Sequence, residues 1–364
     1  MLKIHSHHIQ AVQSAQSLSQ LFPLVQNAIE LEHATIPPYL TAMFSIKPGK
    51  ARDVWNIIHS VVIEEMLHMT ISSNILNAIG GSPDIDNPKF VPEYPGGLPM
   101  GIGDGLIVNL EKLSKEVVKN TFMQIEEPED PLDIPVRNSK SMIVETLSTE
   151  VPEFETIGKF YEYLDKKIQE LAPEQLPGDP SKQVTSKFFS EDVLFPILTK
   201  GDVSRAINII IEQGEGTPNT PLDLEGDIAH YYRFEEIYVG KALVVTKNPD
   251  GTVKSFSYSG APITFTADDV FPIFPNTKAN MLAPGSQERR RVDEFNATYG
   301  SLLNGLHRTF NGEPTFLDQT IGLMFDIKLL AEKLCGTPFP GKSGYTIGPT
   351  SVSYTHLRAH ETTD

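Results

Sequence analysis

Two stretches of this chain place carboxylates and an imidazole where an apolar helix face is expected. AIELEHATIPPYL carries Glu32, and IIHSVVIEEMLHMTI carries Glu65-Met-Leu-His68. An acid and a histidine three residues apart lie on one face of a helix. That face also holds Ile58, Val61, Val62 and Met69, with Ser72 the one polar exception, so it is expected to point into a core. A charge buried there without a partner costs several kcal/mol. Metal coordination is the usual way to hold it: a Glu from one helix and Glu-x-x-His from the next form half of the ligand set of a carboxylate-bridged dimetal bundle.

The register of the two segments agrees with this. Read back from the turn near Lys47-Pro-Gly-Lys-Ala51, Glu32 and Glu65 each lie about thirteen residues into their helices, roughly 20 Å from the turn. Around Glu32 the same-face neighbours are Val25, Ala28, Ile29, Thr35 and Ile36. Around Glu30 they are Pro23, Gln26, Asn27, His33 and Ala34, a mixed set. Glu32 is therefore the expected ligand and Glu30 a surface or outer acid. The same test does not separate Glu65 from Glu64, and Glu65 is preferred for its i, i+3 spacing to His68. A Glu-x-x-His on a helix arises often by chance and is then mostly solvated. The matched Glu32 and the apolar surroundings carry the metal reading here.

A second half-site is expected downstream. Ala206 to Glu212 reads as a buried helix that stops at Gly214 and Gly216, and Pro218 to Pro221 as a loop. A new helix is expected from about Leu222, with Asp223 and Glu225 in its first turn, where the helix dipole favours acids. Inside it Asp227-Ile-Ala-His230 repeats the i, i+3 spacing. The expected set is Glu32, Glu65, His68, Glu212, Asp227 and His230. Glu212 shares its face with Asn208 and Arg205 as well as Ile209, which also fits a surface acid. Asp227 is one methylene shorter than a Glu. Glu215, Glu235 and Glu236 are lower-ranked substitutes.

LEHATIPPYLTAMFSI, EEMLHM, FVPEYPGGLPMG, IIIEQGEGTP, IAHYYRFEEI and IGLMFDIKLLAEKL together resemble the ferritin-like domain family named after iminophenyl-pyruvate dimer synthase. The likeness runs from about Leu21 to Thr350. The resemblance implies metal ligands at the same six residues, with Asp227 the departure where a Glu is more usual. It also implies relatives of two kinds: enzymes that couple oxidised tryptophan units in pigment pathways, and stand-alone proteins. The chain is far shorter than the large pigment synthases, which leaves their particular substrate open.

The whole chain sets further bounds. With 364 residues it can bury a sizeable core. A net charge of −17 argues against nucleic acid or an anionic membrane as partner, and no stretch is long and apolar enough to span a bilayer. MLKIHSHHIQAVQSAQ lacks the apolar core of a secretory signal, and the single Cys335 fits a reducing cytoplasm. His5, His7 and His8 read as a surface arm. Val352 to Thr362 looks like the translation of a sequencing-library adapter, so His356 and His360 are excluded from the site.

The expected fold is mainly α: a ferritin-like four-helix bundle with additional helices, a long Pro/Gly-rich insert and a small β-hairpin. Residues 1–350 are read as one domain, followed by the tail at 352–364. Bundle helices are expected at about 17–46, 52–79, 202–213 and 222–242, the insert at 81–155, the hairpin at 243–260 and the C-terminal helices at 292–334. The insert is too long for a plain loop. Asn109 to Glu126 is expected to give a strand or short helix, and the rest a lid. Thr156 to Leu171 reads as an amphipathic helix through Ile157, Phe160, Tyr161, Leu164 and Ile168, in which tyrosine is more often packing than chemistry. Asn248-Pro-Asp-Gly251 between two alternating runs signals the hairpin. Pro37-Pro38 either bends or interrupts its helix, since an internal proline costs about 3 kcal/mol, and an opening there would place Tyr39 beside the metals.

Carboxylates with two imidazoles suit iron, two ions per chain, with manganese as the alternative metal. Haem stays open, although no Cys-x-x-Cys-His attachment motif is present. The first functional expectation is an oxygen-activating oxidase or oxidative-coupling enzyme that takes dioxygen and a small, aromatic or other organic substrate. The second is an iron-binding or ferroxidase-type protein with no organic substrate, and the third a structural bundle with a vestigial site. Glu30, Glu64 and Tyr39 are expected around the ligands or in a substrate pocket, and oligomerisation is left open.

Overall fold

The long apolar segments on either side of Lys47-Pro-Gly become a helical hairpin in the computed structural model, which describes residues 4–87, 89–103, 105–129, 131–136, 156–185, 188–217 and 220–350. A short helix, α1 (Ser6–Ser14), leads into α2 (Leu18–Phe44) and α3 (Arg52–Ala78). The segment from Lys115 to Ile125 forms α4 (Lys115–Val117), a π-helical turn (Val118–Phe122) and α5 (Met123–Ile125). Then come α6 (Ile157–Leu171), α7 (Lys200–Glu215) and α8 (His230–Val239). A two-stranded hairpin, β1 (Lys241–Lys247) and β2 (Val253–Pro262), precedes the last helices, α9 (Gln287–Phe310) and α10 (Leu317–Cys335).

Packing follows the apolar faces. The α2–α3 pair forms the spine, with α7 and α8 against α3, and α6 against α2 and α7. On the far side α9 pairs with α10, and these two touch α3 and α2 respectively. The main core runs through all of these helices and contains Leu21, Ala28, Ile58, Val61, Phe122, Phe160, Ile207 and Phe234, all buried. A smaller cluster of Ile134, Ala229, Tyr232, Leu243 and Tyr258 seats the hairpin on α8. The mainly helical fold with one small antiparallel hairpin is as the sequence pattern indicates. Among the described residues, no helix is long and apolar enough to cross a membrane.

Local chemistry fixes the helix ends. Thr199 and Asp202 form a capping box at the start of α7, and Thr156 caps α6 by accepting from the Lys159 N–H. The hairpin turn sits at Asn248–Gly251, with Gly251 at a φ of +87°, the left-handed geometry glycine tolerates best.

Pro37 and Pro38 lie inside α2, which continues through them without a break to Phe44. Pro38 has no N–H to give to the carbonyl of Ala34. The buried Tyr94 hydroxyl donates to that carbonyl instead, at 2.7 Å. A side chain from the Pro/Gly-rich insert thus completes the hydrogen bonding of a bundle helix.

One expectation differs from the structure. The helix expected from Leu222 begins only at His230. Residues 222–228 instead form a turn closed by a Leu222–Ile228 bridge, with Asp223 N–H donating to the Asp227 carbonyl. Part of the expected insert, residues 137–155, and the tail at 352–364 lie outside the described residues, and the insert before them carries α4 and α5.

Replacing Tyr94 with Phe leaves the Ala34 carbonyl buried without a donor, which should destabilise the fold by about 1–3 kcal/mol. Urea unfolding measures this as a lower midpoint at unchanged slope. An unchanged midpoint would mean that the carbonyl has another partner.

Candidate metal centre

Five side chains from four parts of the chain converge between α2, α3, α5 and α8. Glu32 comes from α2, Glu65 and His68 from α3, Glu126 from the C-terminal end of α5, and His230 from the first position of α8. They form two overlapping groups, Glu32–Glu65–His68 and Glu65–Glu126–His230, and within each group the donor atoms lie within 4.8 Å of one another. Glu65 belongs to both. His68 Nδ1 is 3.8 Å from a carboxylate oxygen of Glu32 and 3.8 Å from Oε1 of Glu65. His230 Nδ1 is 2.8 Å from that same Oε1 and 3.4 Å from Glu126 Oε2. The two imidazoles stack with ring centroids 5.4 Å apart.

Each member is held from behind. Nε2 of His68 meets Gln213 Oε1 at 2.9 Å, and Nε2 of His230 meets Glu64 Oε2 at 2.9 Å. Glu64 accepts in turn from Arg233 at 2.8 Å. With Nε2 facing these outer acceptors, both rings turn Nδ1 toward the carboxylates, as in carboxylate–histidine–metal arrangements. The Tyr161 hydroxyl donates to Glu32, the Tyr39 hydroxyl to Glu126 at 2.5 Å, and the Thr35 hydroxyl to Glu65 Oε2 at 2.9 Å.

The buried acids and imidazoles shift one another's titration. Burial, with Glu126 close by, raises the pKa of Glu65 to about 7. Burial opposes the charged form of His68 and His230, but the neighbouring carboxylates outweigh it and both pKa values rise. Burial also works against the charge of Glu64, yet His230 and Arg233 hold its pKa down at about 2. His230 Nδ1 has no aligned hydrogen-bond partner although it is fully buried beside two carboxylates. A buried imidazole nitrogen set among acid oxygens, without an aligned hydrogen bond, fits a metal ligand once a cation displaces its proton. The donor set passes this test.

The structure brings together Glu32, Glu65, His68 and His230 from the sequence-derived set. It does not bring Glu212 or Asp227 to them. The inward face of α7 runs through Val203, Ala206, Ile207 and Ile210 and continues to Gln213, so Glu212 falls beside that face. Asp227 is exposed in the turn before α8, where helical spacing to His230 does not apply. Among the lower-ranked substitutes, Glu235 accepts from Tyr258 and Glu236 from the Leu243 N–H, both in service of the hairpin. Glu64 and Tyr39 touch the group. Glu30 faces elsewhere and accepts from Gln26.

Glu126 is the acid that the sequence reading missed. Its signal was present: it stands four residues after Phe122 and eight after Val118, both buried, so an α-helical count puts it on their face. Tyr161, read as packing, also carries a polar contact to the group.

A cavity of about 50 Å³ adjoins the cluster. Leu31, Ile125, Ile157 and Ile210 form its apolar wall, and Glu127 and Glu215 its remaining acid lining. Glu215 docks on the N-terminus of α6, accepting from the Gly158 N–H at 2.9 Å. A Cβ on Gly158 would come within 2.6 Å of that carboxylate, so the close approach depends on glycine there.

The sequence matches the ferritin-like family over residues 25–239. A solved structure of a ferritin-like protein from Caulobacter vibrioides superposes with a TM-score of 0.57 at 22% identity, covering 92% of this chain and 99% of that one. At that identity the likeness speaks for the fold alone. No curated protein matches the chain.

Burial raises the Glu215 pKa from 4.5 to about 7, and the hydrogen bonds from Gly158 and Glu129 offset only part of the shift. Between those values the unfolded chain has released its proton and the folded chain retains it. Stability should therefore fall as pH rises from 4.5 to 7, by roughly 3 kcal/mol from this group alone. Glu215→Gln should flatten that part of the stability–pH curve relative to wild type. Parallel curves for the two proteins would rule the assignment out.

Proposed function

Because this chain belongs to the ferritin-like family, we propose that its buried carboxylate–imidazole cluster holds two metal ions, iron or alternatively manganese, in a centre that reacts with dioxygen. The observation that carries this reading is the sharing of Glu65 between two three-residue donor groups. Glu32 and His68 would hold one ion, Glu126 and His230 the other, and Glu65 both. Oxygen ligands with one imidazole on each side suit iron or manganese better than softer metals. When bound, such a pair supplies electrons for reducing dioxygen, which no protein side chain here can do alone.

The chain's own residues do the rest. Gln213 and Glu64 fix the two imidazoles, while Tyr161 and Tyr39 hold the outer carboxylates and limit how they swing. Arg233 compensates Glu64, so the additional acid behind His230 does not add an unpaired charge. Leu31, Ile125, Ile157 and Ile210 give the cavity beside the cluster an apolar wall.

For the reaction, we read an oxygen-activating oxidase or oxidative-coupling enzyme acting on a small organic molecule. The motif resemblance to the iminophenyl-pyruvate dimer synthase family supports this, as does the apolar cavity wall. The cavity's size favours a second reading. A cavity that takes up benzene measures about 150 Å³, whereas this one has about 50 Å³, enough for dioxygen or water. A ferroxidase-type protein, oxidising ferrous iron itself, needs no more room.

Metal analysis of protein purified without oxygen after growth on iron should give close to two ions per chain. Glu65→Ala should lose both. Glu126→Ala should lose one, because Glu32, Glu65 and His68 remain, and Glu212→Ala or Asp227→Ala should lose none. Full metal content in Glu65→Ala would eliminate the shared-carboxylate centre. Oxygen uptake with ferrous iron as the only reductant would favour the ferroxidase reading, and uptake that requires an added organic substrate would favour the oxidase.

A further inference from the structure

The helix α10 is apolar on two sides. Thr320, Ile327, Ala331 and Leu334 are buried inward. On the opposite side Phe325 is 65% exposed and Leu329 62%, and among the described residues nothing covers them. A helix with apolar residues on both faces is ordinarily buried on both.

The outer stripe has an ordered pattern. Asp318, Gly322, Phe325, Leu329 and Lys333 are all exposed and follow one another at intervals of three or four residues, so they share one side of the helix. That stripe is complementary to itself when reversed. Turned about a two-fold axis between Phe325 and Asp326, it sets Asp318 of one copy opposite Lys333 of the other. It also sets Gly322 opposite Leu329. A Cβ on Gly322 would meet nothing within 4 Å, so there is room above it for a large side chain from outside. Opposite charges meet at both ends, a small residue meets a large one on each side, and at the centre each Phe325 lies beside the axis, level with the exposed Asp326 of the other copy.

We propose that α10 is the interface of a two-fold symmetric homodimer, in which two copies of this helix pack antiparallel through Gly322, Phe325 and Leu329 and are held in register by Asp318–Lys333 pairs. Both copies use the same patch, as a two-fold interface requires. The chain's net charge of −17 makes two copies repel at long range, so an apolar stripe with matched charges is what contact between them needs.

Sedimentation equilibrium of the full chain tests this. The expected mass is twice that of the 40.3 kDa chain, with dissociation on dilution. Leu329→Glu should give monomer, with helix content and metal content unchanged. Asp318→Lys and Lys333→Asp should each weaken the dimer several-fold, and the double variant carrying both should recover it. That exchange leaves the packed residues alone, so it remains decisive if Leu329→Glu misfolds. Wild-type protein that stays monomeric at all concentrations would overturn the proposal, and would leave the face to a different protein. So would a dimer indifferent to the charge reversals, which must form through another surface.

Discussion

The burial of one carboxylate governs this architecture. Glu65 sits in the interior of α3, near-completely removed from water, with oxygens directed toward both His68 and His230. A carboxylate in that position cannot be neutralised by solvent and must find its charge balance among its neighbours. Everything around it answers that requirement. Thr35 donates to one oxygen, two imidazoles approach the other, and Glu32 and Glu126 flank it as further acids, a donor set that could hold a cation. The long helices α2 and α3 hold this concentration of charge by burying apolar residues above and below it.

Around that centre the protein arranges a second layer with a consistent logic. Each imidazole gives its outer N–H to a single acceptor, and each outer carboxylate receives a phenol. Four helices, α2, α3, α6 and α7, contribute to this layer. The insert is structural to the site, since it supplies Glu126 directly and completes α2 through Tyr94. Its irregular composition disguised that role.

What the sequence made legible was local and periodic. Glu65 and His68 could be paired because both lie in one uninterrupted helix, and Glu32 because a short turn fixes its height against them. The amphipathic α6 and the Asp-Gly hairpin were legible for the same reason. Glu212 and Asp227 show where periodicity fails. For Glu212 the error was one residue of rotation, which puts Gln213 on the inward face instead. For Asp227 the helix was assumed to begin early, whereas the chain stays in a hydrogen-bonded turn until His230. Glu126 lies at the end of the segment expected to give a strand or short helix, but its partners are far off in sequence, so nothing local linked it to them. Tertiary convergence of that kind leaves no repeat for a single sequence to display.

The uneven origin of the two donor groups gives them different folding histories. Glu32, Glu65 and His68 come from adjacent helices joined by a short connection, so closing that hairpin assembles them at a small entropic cost. Glu65, Glu126 and His230 come from three distant parts of the chain, and they meet only after the insert and α8 have docked. Contacts of long sequence separation form late. The second group therefore needs far longer loops closed than the first, and it closes onto a carboxylate that the first also holds.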